Sequence, residues 1–233
     1  MNQNPKITRR QFMATAGGTL VSIGLPGAFV KVLDSENTAL ADQLRTDDQP
    51  RIPPGQHAVK ALPNMGGVKG PGNVPDWRLV IQGEVHNPIS LSFPDLMNLT
   101  QVDLTCDVHC VTGWTLLDSR WRGIRVQTIM DLVKVKSNAG FIVFEAPGDY
   151  SSSIPLSEAR KDNVLLAHSF SDQRLPPEYG APLRGLVPDR YFYKSVKWLE
   201  RIRFVVEDEP GYYESGGYSN SADPWKEERF DDD

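Results

Sequence analysis

The stretch VDLTCDVHCVTGW, residues 102–114, alternates apolar and polar side chains through Val102, Leu104, Cys106 and Val108, and it contains both cysteines of the chain. A period of two with β-branched residues predicts a strand with one buried face. On such a strand Cys106 and Cys110 lie about 13 Å apart, at about 3.3 Å per residue, whereas a disulfide needs Cα atoms within roughly 7 Å. Only a tight turn between them would permit the bond. A zinc or copper site is a second reading, with Asp107, His109 and the two thiols as ligand types. A closed structural zinc site wants four ligands in recognisable pairs, and here His57, His86 and His168 are scattered and no further cysteine exists. The third reading makes one thiolate the ligand of a heavier metal, and these residues alone leave all three open.

Outward from this strand, WRLVIQGEV from Trp77 alternates in the same way, and VHNPISLSF follows after a turn at Asn87-Pro88, so the pair reads as a hairpin. Phe93–Met97 opens a short helix, with Pro94 and Asp95 suited to its first turn. Downstream, IRVQTIMDLVKV predicts a helix from about Val126, FIVFEA a short buried strand, SEARK a short helix, and SVKWLERIRFVVED a final long strand. Periodicity does not decide between strand and helix for NVLLAHSF. The tail from Pro210 is aromatic, Gly-rich and acidic, and is expected to wrap over the domain. Short strands mixed with short helices, without regular βαβ spacing or an internal repeat, give an α+β class.

The whole chain of 233 residues, 39% hydrophobic and 24% charged, has room for one domain with appendages. A net charge of −5 argues against nucleic acid as the main partner. At the N-terminus, Arg9 and Arg10 precede Phe12 and a weakly apolar, Gly-rich run broken by Pro26. This order resembles a twin-arginine export signal rather than a membrane span of roughly 20 apolar residues. Ala39-Leu40-Ala41 is an A-x-A-like cleavage site. The expected organisation is therefore a signal peptide over 1–41, a Pro/Gly-rich extended arm over 42–75, and a catalytic domain with its wrapping tail over 76–233. Export on this route carries folded proteins to the periplasm or beyond, and a cofactor inserted in the cytoplasm is the usual reason to fold first.

HCVTGW, then RWRGIRV, YGAPLRGLVP, YKSVKWLERIRF and GYYESGGYSNSADPWKEERF, in that order from about Trp77 to Trp225, resemble the molybdopterin oxidoreductases of the sulfite oxidase family. The resemblance implies a sulfite oxidase-type molybdopterin-binding domain with mixed sheets and short helices, loaded with Mo-molybdopterin. It places the catalytic molybdenum ligand on Cys110 and gives Cys106 no ligand role. A thiolate is a soft, anionic donor suited to a sulfur-rich sphere completed by the pterin dithiolene. By the same resemblance His109 contacts the pterin. Arg184, Lys194, Ser195 and Lys197 hold the cofactor phosphate, and Ser151 lines the pocket from a polar loop over Asp149–Ser153. Arg122 and Arg125 are read equally as oxyanion holders or surface residues. The implied activity is oxygen-atom exchange with a small substrate, S-oxide or N-oxide reduction being favoured over sulfite oxidation. Electrons would pass to or from a separate haem protein, either a membrane protein or a soluble cytochrome. The rival reading from another class is a non-catalytic copper- or zinc-binding chaperone built on CDVHC.

Overall fold

A computed structural model of the chain describes residues 43–45, 47–64 and 76–231. The arginine pair, the Ala39-Leu40-Ala41 site and the later part of the arm lie outside the described residues. Val102–His109 form β4, antiparallel to the twelve-residue β5 (Trp114–Arg125). Along β5 lie β1 (His57–Val59), parallel to it, and β8 (Leu165–Phe170), antiparallel to it; β8 carries β9 (Gln173–Arg174) and β10 (Arg184–Leu186). The second sheet runs β3 (Ile89–Ser92), β2 (Arg78–Gly83), β11 (Arg201–Val205), β6 (Phe141–Glu145), β7 (Ser151–Pro155), and all its pairs are antiparallel except β2 with β11.

The helices follow from local chemistry. At α1 (Phe93–Met97) the Ser92 hydroxyl accepts from the Asp95 amide while the Asp95 carboxylate accepts from the Ser92 amide at 2.8 Å, a capping box that satisfies two otherwise orphaned donors. α2 (Val126–Val133) buries Val126, Ile129, Met130 and Val133, one helical stripe, and ends at Lys134 in the left-handed conformation. α3 (Leu156–Ala159) is a single turn inside the SEARK region. The main core lies between the second sheet and α2, around Leu79, Ile81, Ile129, Phe144, Ile202 and Phe204. A second cluster joins Val108, Cys110, Trp114, Leu116 and Trp121 to Leu165, Ala167 and Leu186. NVLLAHSF is a strand, and its lack of period has a cause: Leu166 packs into the first core while Leu165 and Ala167 pack into the second, so both faces are buried.

Three expectations are corrected and one strand is added. The final strand is five residues long, because Val196, Trp198 and Leu199 are buried in a loop, with Trp198 at φ 57°, and do not alternate on a sheet. Ser151–Ser153 are not a loop but the edge strand β7, paired to Glu145–Val143. The arm is not extended chain alone but contributes a sheet strand, since His57–Val59 pairs with Trp114–Leu116. β5 was not expected as a strand at all.

Candidate functional site

β4 ends at His109, and Cys110–Gly113 turn the chain back into β5. The Gly113 amide donates to the Cys110 carbonyl at 2.9 Å, with Gly113 at φ 98°, a region that only glycine enters readily. The turn is clamped from the arm by Gln56, whose side-chain amide donates to the Cys110 carbonyl at 3.1 Å. The Cys110 sulfur is buried and accepts from the Thr112 hydroxyl at 3.2 Å. Burial pushes this thiol up, while the Thr112 side chain and amide, and the charge of Arg229, pull it back toward thiolate.

The rest of CDVHC faces elsewhere. Both thiols are free. Cys106 lies mid-strand, 3.8 Å from the Ser119 hydroxyl, just before a register shift, and burial pushes its thiol up to about 12. Asp107 is taken by Arg51 at 2.5 Å and by the Asp118 amide. Among the described residues no group of three or more His, Cys, Asp or Glu side chains could hold a metal ion, which removes the geometric basis of the copper or zinc reading. His109 Nδ1 sits 2.9 Å from the Thr115 hydroxyl, which itself donates to Gln56 Oε1. Thr115 therefore accepts at His109, which assigns the proton to Nδ1 and leaves Nε2 as an acceptor. That Nε2 is buried and has no hydrogen-bond partner among the described residues, and burial holds the ring neutral by pushing its pKa down to about 4.

Downstream, a buried basic group is assembled. Among the described residues the Arg184 guanidinium donates to the carbonyls of Gly185, Tyr179 and Ser195 and lies against the Phe192 and Trp121 rings, with no carboxylate among its hydrogen-bond partners there. Burial pushes it well below its ordinary value. Lys197 is pushed down to about 8 by burial and by the charge of Arg184. Gly180 lets these residues converge: it has φ 111°, and a Cβ there would stand 3.0 Å from Lys197 Cβ and 3.2 Å from Arg184 Cβ. The Ser195 hydroxyl accepts from the Val187 amide at 2.9 Å. Lys194 stands apart from the expected set, since its ammonium is spent on Glu214 at 2.6 Å, Asn220 at 3.1 Å and the Ser153 carbonyl at 3.0 Å. Ser151 sits on edge strand β7, and its carbonyl accepts from the Tyr212 amide at 3.0 Å. Arg122 and Arg125 point outward to Asp103 and Asp162, with side chains 47% and 44% exposed.

A family model described as the oxidoreductase molybdopterin binding domain matches residues 66–213. The chain belongs to the molybdopterin-binding oxidoreductases of the sulfite oxidase family. It is 37% identical over 188 residues to the oxidoreductase YuiH of Bacillus subtilis (strain 168), covering 80% of this chain and 95% of that protein. It is 24% identical over 234 residues to the protein-methionine-sulfoxide reductase catalytic subunit MsrP of Campylobacter jejuni, covering 89% and 76%. The fold matches the sulfane dehydrogenase SoxCD from Paracoccus pantotrophus with a TM-score of 0.53 at 20% identity, over 89% of this chain and 60% of that one.

As a sulfite oxidase family member the chain is an enzyme that takes Mo-molybdopterin, and the residues present fit that group. A buried acceptor without a donor (His109 Nε2) and a buried cation without a carboxylate (Arg184) are costly in an empty protein. A pterin with N–H donors and a phosphate would satisfy both. Sequence reasoning missed Gln56, Thr112, Tyr150, Tyr213, Tyr218 and Arg229. Burial raises the pKa of each of the three tyrosines, with Cys110 a smaller contributor, and Arg229 donates to the Val111 carbonyl. Only the acidic, aromatic composition of the tail hinted at a covering role.

Proposed function

We propose that this family member transfers an oxygen atom to or from a small neutral substrate, with reduction of an S-oxide or N-oxide as the working direction. When bound, Mo-molybdopterin supplies the two-electron couple and the position at which oxygen is exchanged. Cys110 is the molybdenum ligand in this reading. The Thr112 hydroxyl and Arg229 help its thiol release the proton that ligation requires. His109 orients the pterin through Nε2, Ser151 lines the same pocket, and Arg184, Lys197 and the Ser195 segment receive the phosphate. Lys194 braces the tail, and its contribution to the phosphate is indirect.

The observation that carries the choice of substrate class is the placement of Arg122 and Arg125: both are paired to surface aspartates, so neither offers a charge to hold an oxyanion such as sulfite. The methionine-sulfoxide reductase subunit among the relatives agrees with this direction. Electrons would come from a separate haem protein, membrane-bound or soluble, outside the cytoplasm after twin-arginine export. The test is a screen of sulfite, sulfoxides and N-oxides on cofactor-loaded protein with a chemical electron donor or acceptor. Turnover of sulfoxides or N-oxides with no sulfite oxidation is expected, and sulfite oxidation as the main activity refutes the reading.

A further inference from the structure

The segment Gly211–Phe230 covers the Cys110 turn. Arg229 donates to the Val111 carbonyl, the Trp225 ring meets the His109 ring edge-on at 4.9 Å, and Tyr213 and Tyr218 pack with Val111, Tyr191, Tyr193 and Ala222. With this cover in place Cys110 is 6% exposed.

One deep contact fastens the start of the segment. Glu214 and Lys194 form an ion pair at 2.6 Å with both side chains 1% exposed, and the Ser152 hydroxyl donates to the same Glu214 oxygen at 2.5 Å. All three ammonium donors of Lys194 have acceptors, so the pair is satisfied on the lysine side. On the other side Glu214 Oε2 is buried and has no hydrogen-bond partner among the described residues. The pair thus ties the tail to β7 through the Ser153 carbonyl and Ser152, and to the loop that carries Ser195 and Lys197. Beyond it, a Cβ added at Gly216 or Gly217 would meet no neighbour, and the covering part from Tyr218 onward is held beside the Glu214 anchor by the Tyr193 hydroxyl donating to the Ser219 carbonyl and the Tyr191 amide donating to the Ala222 carbonyl at 2.8 Å.

We propose that Lys194 and Glu214 are a positioning pair that latches the C-terminal segment as a strap over Cys110, and that release of this latch opens the thiol while the sheets stay folded. The physical basis is the asymmetry of buried ion pairs: deleting one partner strands the other charge in the interior, and the local remedy is to lift the segment into water. A strap of this kind gives an entry route to a cofactor that must reach Cys110 beneath the tail. The proposal relies on the molybdenum reading only for that purpose, and its test is blind to whether Cys110 binds metal.

The test uses the full chain produced without molybdenum cofactor, treated with iodoacetamide, with alkylation rates at the two thiols read separately by peptide mass spectrometry. Cys106, on the β4–β5 face beside Ser119, is the internal control for general unfolding. Glu214→Gln should raise the Cys110 rate about tenfold or more while the Cys106 rate stays within about twofold. Ser152→Ala, which removes one hydrogen bond and keeps the ion pair, should give the same selectivity with a smaller rise, and it decides the matter if Glu214→Gln does not fold. An unchanged Cys110 rate in both variants, or equal rises at the two thiols in Ser152→Ala, overturns the proposal.

Discussion

Cys106 and Cys110 are four residues apart on one chain direction, and their surroundings have little in common. Cys106 sits within β4, its sulfur against Ser119, and that hydroxyl lowers its thiol pKa against burial and the charges of Asp107 and Asp189, which raise it. Cys110 sits one residue past the end of the strand, in a turn that supplies a hydroxyl and an amide, and Arg229 of the tail adds a cation, all favouring the thiolate. Mid-strand, backbone groups are consumed by the ladder and a side chain can only pack. At a strand end they are free to face it. In the proposed reading, two residues of one type in one short stretch are thereby divided between packing and chemistry.

The largest expected effect breaks or keeps that division directly. Cys110→Ala should abolish oxygen-atom transfer and alter the molybdenum(V) paramagnetic spectrum of reduced, loaded protein. Cys106→Ala should retain most activity, with a stability loss on the order of 1 kcal/mol. Equal loss of metal and activity in the two variants would return the pair to a shared role.

The same contrast recurs between the arginines. Arg184 is buried with carbonyls and rings, whereas Arg122 is exposed and paired with Asp103. Arg184→Ala removes a charge-assisted contact worth about 1.5–3 kcal/mol, so pterin occupancy under limiting cofactor should fall roughly ten- to hundredfold. Released pterin, measured by fluorescence after oxidation, gives the occupancy. Arg122→Ala should leave occupancy unchanged and shift stability by about 0.5 kcal/mol or less. A drop with Arg122→Ala would bring the outer face of β5 into the site.

A subtler effect is expected from acid. The folded-state pKa of His109, about 4, lies below its ordinary 6.5, so its contribution to stability is fully present above about 6.5 and is lost as pH falls toward 4. The thermal midpoint of cofactor-free protein should drop across that window, and His109→Gln should flatten the drop. An identical pH slope in the variant would mean that the ring is not held neutral by burial.

Much of this was legible in the sequence, for identifiable reasons. β4, the β2–β3 hairpin and α2 each have one buried face, and a single buried face leaves a period that can be read. β5 has no such period. It pairs with β1, β4 and β8 in turn, slips register between Arg122 and Gly123, and changes neighbours along its length, so its pattern belongs to no single template. Cys110, Arg184, Ser195 and Lys197, on which the proposed site rests, could be nominated from sequence because each lies within a short block whose order along the chain is informative. Gln56, Tyr213, Tyr218 and Arg229 could not, because they reach the site from an arm and a tail whose placement depends on the finished domain. Lys194 shows the limit of block reading: its neighbours in sequence point to a phosphate, while its partner in space is Glu214, twenty residues later.

The position of β11 also dictates the order in which the molecule can assemble. It lies between two ready-made hairpins, β2–β3 and β6–β7, pairing with Val80–Gly83 on one side and Phe141–Glu145 on the other. Until Arg201–Val205 has left the ribosome, each hairpin keeps a bare apolar edge, and two-stranded ribbons are at best marginal in water. The long-range parallel pairing with β2 must also bear the entropy of closing everything in between, which places it among slow steps. Nascent chains stalled before residue 200 should therefore be cleaved by protease throughout the second sheet, and protection should appear in one step once β11 is available.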